Sequence, residues 1–292
     1  MDTLLQILSP DFLLRDALVA SVLVGLVCPL VGVYFVLRRM VFLGVALPQV
    51  SSAGIAFAFL VFNVVVGPHE PFQLSERVLA LIGSFTFTLA ATIILAYFEQ
   101  RRAMVEARIG TAYAIAAAAT ILLLAKDPHG EAQLVHLLRG DILATTGTSL
   151  VWMAAIFAAV VFALFAFRKE LLLVSFDRDL AVVFGKRPGL WDLVLYLLTG
   201  VVISLGVMTA GPIATFGFLI VPPVTMHLIA GRMLTFSLGA AALGALTAFG
   251  GFYCAYRFDL PLGPAEVALA SIALAVVAGG SGLRRAIGRR GT

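Results

Sequence analysis

Apolar residues run along this chain in blocks of roughly twenty, each closed by a short polar break, from one end of the sequence to the other. The blocks cover residues 12–37, 41–66, 78–98, 107–125, 150–167, 190–209, 212–230, 234–256 and 265–283. A hydrocarbon layer about 30 Å thick needs that many residues of helix, so the pattern predicts an all-α, polytopic transmembrane bundle of about eight to nine membrane helices. No linker rich in serine or proline divides it, and residues 1–292 read as a single membrane domain.

The polar breaks carry their own signals. Residues 3–16 mix apolar side chains with Asp11, Arg15 and Asp16, which predicts an interfacial helix ahead of the first span. The break at 126–141 leads into HLLRGDIL, where Gly140 ends one turn and Asp141 begins another, as in a short helix at the membrane surface. The break at 168–188 contains RKELLLVSFDRDLAVVFGKRP. There Asp177 is placed to cap a helix with Leu180, Val183 and Phe184 on its apolar face, and Gly185 to end it. A short amphipathic helix with an uncovered apolar face calls either for a partner protein or for the headgroup layer.

Another informative stretch is VLRRMVFLGVALPQVSSAGIAF, residues 36–57. Arg38 and Arg39 stop the first span, and Pro48 is expected to break the second at a depth where water cannot replace the lost donor. Broken membrane helices line substrate paths. Pro48 leaves the Gly44 carbonyl without its usual partner, near Gln49, Ser51 and Ser52. The same small residues, Ser51 to Gly54, also suit a packing surface between helices.

Charge sets a direction. Arg38, Arg39, Arg101, Arg102, Arg108, Arg168, Lys169, Arg178, Lys186, Arg187, Arg232 and the arginines from 284 to 290 fall on one side of this topology. Arg15, Arg77, Lys126, Arg139 and Arg257 fall on the other. Basic loops mark the cytoplasm, which puts the N-terminus outside and the C-terminus inside the cell membrane. The net charge of +4 belongs to these loops and gives no reason to expect nucleic acid as a partner. With 61% hydrophobic and 12% charged residues the composition departs from the roughly 25% charged content of soluble domains.

Catalytic signatures are missing from the sequence: it has no Gly-x-x-x-x-Gly-Lys-Ser/Thr loop, no His-Glu-x-x-His pair and no Gly-x-Ser-x-Gly elbow. Cys28 and Cys254 are too far apart in sequence to suggest a paired-cysteine metal site. Asp16, Glu106, Asp192 and Glu266 lie near predicted span ends, where they are expected to remain hydrated, leaving no carboxylate at mid-membrane. That argues against a proton-coupled carrier and for an energy source on another subunit. Of the histidines, His69, His129 and His136 fall in polar breaks, and His227 follows Pro222-Pro223 near a helix end.

Several of these fragments occur together in one family. GLVCPLVGVYFVLRRMVFLG at 25–44, RGDIL at 139–143, SFDRDLAVVFG at 175–185, FLIVPPVTMHLIAGR ending at Arg232 and DLPLGPAEV at 259–267 resemble, in order and spacing, the membrane permeases of ABC importers for zinc, manganese and iron. The resemblance extends nearly end to end. It implies a permease that pairs with a second copy and opens alternately to each side, with no cofactor of its own. ATP and Mg would act on separate cytoplasmic ABC ATPase subunits, and an extracytoplasmic solute-binding protein would deliver the cargo. The family's coupling helix matches the segment near 175–187, here Asp177, Arg178, Leu180, Ala181, Val183, Phe184 and Gly185, which would dock on the ATPase.

One departure stands out. Where the family shows Asp-Ala-Leu-Ser-His, with the acid and the histidine as metal ligands, this chain has Val45, Ala46, Leu47, Pro48 and Gln49. Valine cannot coordinate and glutamine offers only a neutral oxygen, a poor match for a bare zinc or manganese ion. The expected path residues are Val45, Pro48, Gln49, Ser51, Ser52 and His227, with no metal ligands assigned. The cargo is then a divalent metal, a metal chelate or another small polar solute. A stand-alone channel or secondary carrier is the rival from another class.

Overall fold

The computed structural model describes residues 14–65, 73–99, 105–125 and 147–288. The first eleven residues of the expected interfacial helix, the surface helix at 126–141 with its RGDIL motif, and His69, His129 and His136 lie outside the described residues. Within them the chain is helical: α1 (Arg15–Leu37), α2 (Val41–Val65), α3 (Gln73–Glu99), α4 (Val105–Leu124) and α5 (Gly147–Ala166) come first. The short α6 (Arg168–Phe176) and α7 (Arg178–Val183) follow, then α8 (Pro188–His227), α9 (Met233–Phe258) and α10 (Leu262–Gly288). Among the described residues, 8 of these helices are long and apolar enough to cross a bilayer.

The difference from nine apolar blocks lies in α8. Its 40 residues would span about 60 Å as a straight helix, twice the hydrocarbon layer. It does not run straight. Gly211 has φ 82 and ψ 167, a conformation open essentially to glycine alone, and the helix folds back there. A Cβ built on Gly206 would lie 3.0 Å from the side chain of Thr215, nine positions on, where a straight helix would separate the two by about 13 Å. Both ends of α8 therefore meet the same end of α1: Asp192 bonds Arg38, while Met226, like Val36 and Leu37, packs against the cluster of Val33, Phe236 and Ala240. The bend needs its backbone groups satisfied in an apolar setting. Pro212 has no N–H to strand, and the Thr215 hydroxyl donates to the Gly211 carbonyl at 2.7 Å.

Pro48, by contrast, does not break α2, which continues as a helix from Val41 to Val65. The expected interruption lies at Gly211 instead. A proline deletes one donor and is accommodated where neighbouring helices pack firmly, and here Ala46, Leu47 and Pro48 are all buried.

Inside lipid the hydrophobic effect does not drive one helix onto another, so close packing and hydrogen bonds do. The seams show it. A Cβ on Gly244 of α9 would fall 2.0 Å from the Gly25 carbonyl oxygen of α1, and one on Gly54 of α2 would fall 2.3 Å from that of Gly83 on α3. Backbones touch at both crossings. A tight turn, with Arg39 at φ 58 and the Met40 N–H donating to Phe35 O at 2.9 Å, joins α1 to α2 and fixes Arg38 at the bundle's end.

Gly244→Ala is expected to lower stability by about 1–3 kcal/mol, because the added methyl meets backbone rather than a side chain that could turn away. Unfolding in detergent micelles would measure it, with Gly231→Ala, where nothing lies within 4 Å, as the control. Equal stability of the two variants would refute the seam.

Candidate substrate path and coupling surface

Val45 and Gln49 lie one turn apart on α2, both half-buried, while the residues between them are buried. Phe42, 57% exposed, continues the same open face. Among the described residues no hydrogen bond engages the Gln49 amide, so its oxygen and NH2 remain available. The pair that the sequence singles out is thus brought to one face, and that face is neutral.

Ser51 and Ser52 point elsewhere. Ser51 Oγ lies 2.6 Å from Ser84 Oγ of α3, and Ser52 Oγ donates to the Pro48 carbonyl at 3.0 Å. Both are fully buried, and Ser51 lies in the seam between α2 and α3. Thr88, Thr92, Thr199 and Ser204 are buried beside that seam, and the Thr199 and Ser204 hydroxyl oxygens have no partner among the described residues. Of these hydroxyls Ser51 and Ser84 join α2 to α3, and Ser84 reaches the Ser204 carbonyl of α8 at 3.5 Å, whereas Thr88 and Thr92 bond within α3. His227 is exposed at the end of α8 with its ring 5.6 Å from that of Phe236. Gln49 lies about 12 Å along α2 from Val41, the first residue of that helix. Among the described residues, no group of three or more His, Cys, Asp or Glu side chains converges as a metal site would require.

The polar segment after α5 is ordered by its own residues. Asp177 has extended backbone, with φ −147 and ψ 103, and its Oδ1 accepts the Leu180 N–H at 2.9 Å, which starts α7. Gly185, at φ 72, ends it. Lys186 reaches Glu170 of α6 at 3.3 Å and closes the base of the segment. A backbone hydrogen bond of Glu170 itself, and then Lys186, hold its carboxyl below the usual carboxylate range. Ala181 is the one residue of α7 that is buried, whereas Leu180 is 43%, Val183 81% and Phe184 65% exposed. The chain thus presents a capped, apolar knob outside the candidate spans.

Two buried carboxylates depart from expectation. Asp192, 6% exposed in its side chain, is held by Arg38 at 2.7 Å and Arg178 at 3.0 Å. Glu266, fully buried, accepts from the Ser21 hydroxyl, and its Oε2 has no partner among the described residues. Neither is hydrated, as their places near span ends suggest. Their partners, Arg38 and Ser21, lie 154 and 245 positions away, so no local pattern marks them. Asp16 and Glu106 do retain exposure.

A fold with this bend and this projecting α7 has known relatives. The model of the ABC 3 transport family matches residues 11–279. The chain belongs to that family. It is 30% identical over 261 residues to the manganese transport system membrane protein MntC of Listeria monocytogenes, covering 89% of this chain and 87% of that one. It is 28% identical over 255 residues to the manganese import system permease protein ScaB of Streptococcus gordonii, covering 87% and 86%. Among solved structures, PsaBC from Streptococcus pneumoniae in complex with Fab superposes with a TM-score of 0.76 at 25% identity, covering 92% of this chain and 91% of that one. The chain is a multi-pass membrane permease of the ABC transporter class, in agreement with its motifs.

Ser21→Ala removes the hydroxyl that serves Glu266 and leaves a second carboxyl oxygen unpaired. The expected loss is about 1–3 kcal/mol of stability, read from unfolding in micelles. Restoration by Glu266→Leu in the same background would confirm the cause, and an unchanged Ser21→Ala protein would refute it.

Proposed function

We propose that this permease imports a divalent metal (zinc, manganese or iron) or a metal-containing solute by alternating access, powered by separate cytoplasmic ATPase subunits. The observation that carries this reading is α7: an apolar knob, capped by Asp177 and ended by Gly185, on a chain whose sequence has no ATP-binding loop. Leu180, Val183 and Phe184 fit into a groove on each ATPase, with Asp177, Arg178, Ala181 and Gly185 setting the shape of the plug. ATP and Mg act on the partner. A binding protein feeds the outer side, a second permease copy completes the conduit, and the N-terminus lies outside and the C-terminus inside the cell membrane. The manganese-transport names of the relatives support the metal class.

A second reading within this function has its own observation. Val45 and Gln49 give the face of α2 a neutral donor set, which suits a metal already wrapped in a chelator better than a bare ion. Gln49 supplies the hydrogen bonds to the cargo, with Val45 and Pro48 shaping the wall, Ser51 and Ser52 holding the helix in place behind it, and His227 at the inner exit.

Two outcomes follow. Replacing Leu180 and Phe184 by Asp is expected to weaken ATPase binding by about 2 kcal/mol or more per site, as for a buried anchor, and co-purification from membranes would show it. Retained ATPase would refute the plug. Replacing Val45 by Asp together with Gln49 by His is expected to tighten the binding of bare manganese, measured by equilibrium dialysis. Unchanged affinity would place the cargo face elsewhere.

A further inference from the structure

The knob α7 has a single buried residue, Ala181, so apolar packing gives it little grip on the membrane helices. A chain of charges supplies the grip. Arg178, at the start of α7, contacts Asp192 Oδ2 at 3.0 Å, and Asp192 Oδ1 meets Arg38 Nη1 at 2.7 Å. Arg38 Nε donates to Ser175 Oγ of α6 at 2.9 Å. One carboxylate on α8 therefore joins the coupling segment to the end of α1, beside a cavity of about 860 Å³ lined by Arg38, Ser175, Arg178, Val182 and Asp192.

The pairing is incomplete in an informative way. Arg38 is 7% exposed in its side chain, yet its Nη2 is buried with no partner among the described residues. Each oxygen of Asp192 is given to a different arginine. Arg178 is the outer member, with 33% of its side chain exposed and open space beside it. If α7 shifts and withdraws Arg178, Asp192 Oδ2 and Arg38 Nη2 are left free together. They can then close into a two-pronged arginine–carboxylate pair, a stronger and more directional arrangement than the single contact.

We infer that Asp192 is a relay with two pairings: shared between Arg38 and Arg178 in this conformation, and held by both prongs of Arg38 when α7 moves. Asp192 and Arg38 are positioning residues, and the relay passes the displacement of α7 to α1 and to the hairpin α8. It is a discrete two-state element, as coupling between distant sites requires. The inference rests on α7 being the segment that docks on the ATPase.

The test uses the complete permease–ATPase complex in its native membrane, with two readouts: ATP hydrolysis by the complex, and cell-associated manganese, iron and zinc by elemental analysis. Asp192→Asn removes both pairings, and Arg38→Lys keeps the charge but cannot form the two-pronged pair. Both variants are expected to keep the ATPase bound and hydrolysing within about twofold of the parent, while permease-dependent metal accumulation falls about tenfold. Where Asp192→Asn fails to fold, Arg38→Lys decides alone. Undiminished accumulation overturns the relay, and so does a parallel fall of hydrolysis and accumulation, which a purely structural role would give. Absence of any ATPase from the parent complex would instead overturn the docking reading.

Discussion

Hydrocarbon offers a backbone no hydrogen-bond partners, and nearly every feature of this bundle is a way of living with that constraint. Long helices close their own bonds. Where α8 turns back at Gly211, a glycine, a proline without an N–H and a threonine hydroxyl share the repair. Where helices cross, glycines let carbonyls approach what would be a side chain elsewhere, as at Gly25 with Gly244. Many threonine and serine hydroxyls donate back to carbonyls a turn earlier, as Thr88 does to Ser84, which lets a polar side chain enter the interior with its donor satisfied.

Charge is treated in the same economical way. Buried ionised groups are costly in a medium of low polarity, so Asp192 is placed at the end of the bundle and given two arginines. The middle of the bundle is served by hydroxyls and by the Gln49 amide. The charged end ties α8 to α1 and to α7, whose apolar face points away from the bundle.

The sequence made the spans legible because hydrophobic length is a local property, and α7 legible because Asp177 and Gly185 act within a few residues of themselves. Blocks 190–209 and 212–230 marked the two arms of α8, although the single residue that folds them together was not identified. Pro48 was misleading for a physical reason: losing one donor does not break a helix whose neighbours are packed firmly around it. Asp192 and Glu266 escaped because nearness to a span end says nothing of burial when the covering residue, Arg38 or Ser21, comes from the far side of the sequence. Val45 and Gln49 were legible as a pair since four residues make one helical turn, whereas the direction of Ser51 toward Ser84 needed α3 in place.

On the proposed reading this chain is a conduit whose motor is a separate polypeptide. Manganese uptake into sealed vesicles, run with ATP in the presence and absence of the ATPase subunit, tests it most directly. ATP-dependent, vectorial uptake of metal or metal chelate is expected only when both polypeptides are present. Sustained uptake through the purified chain alone would contradict it.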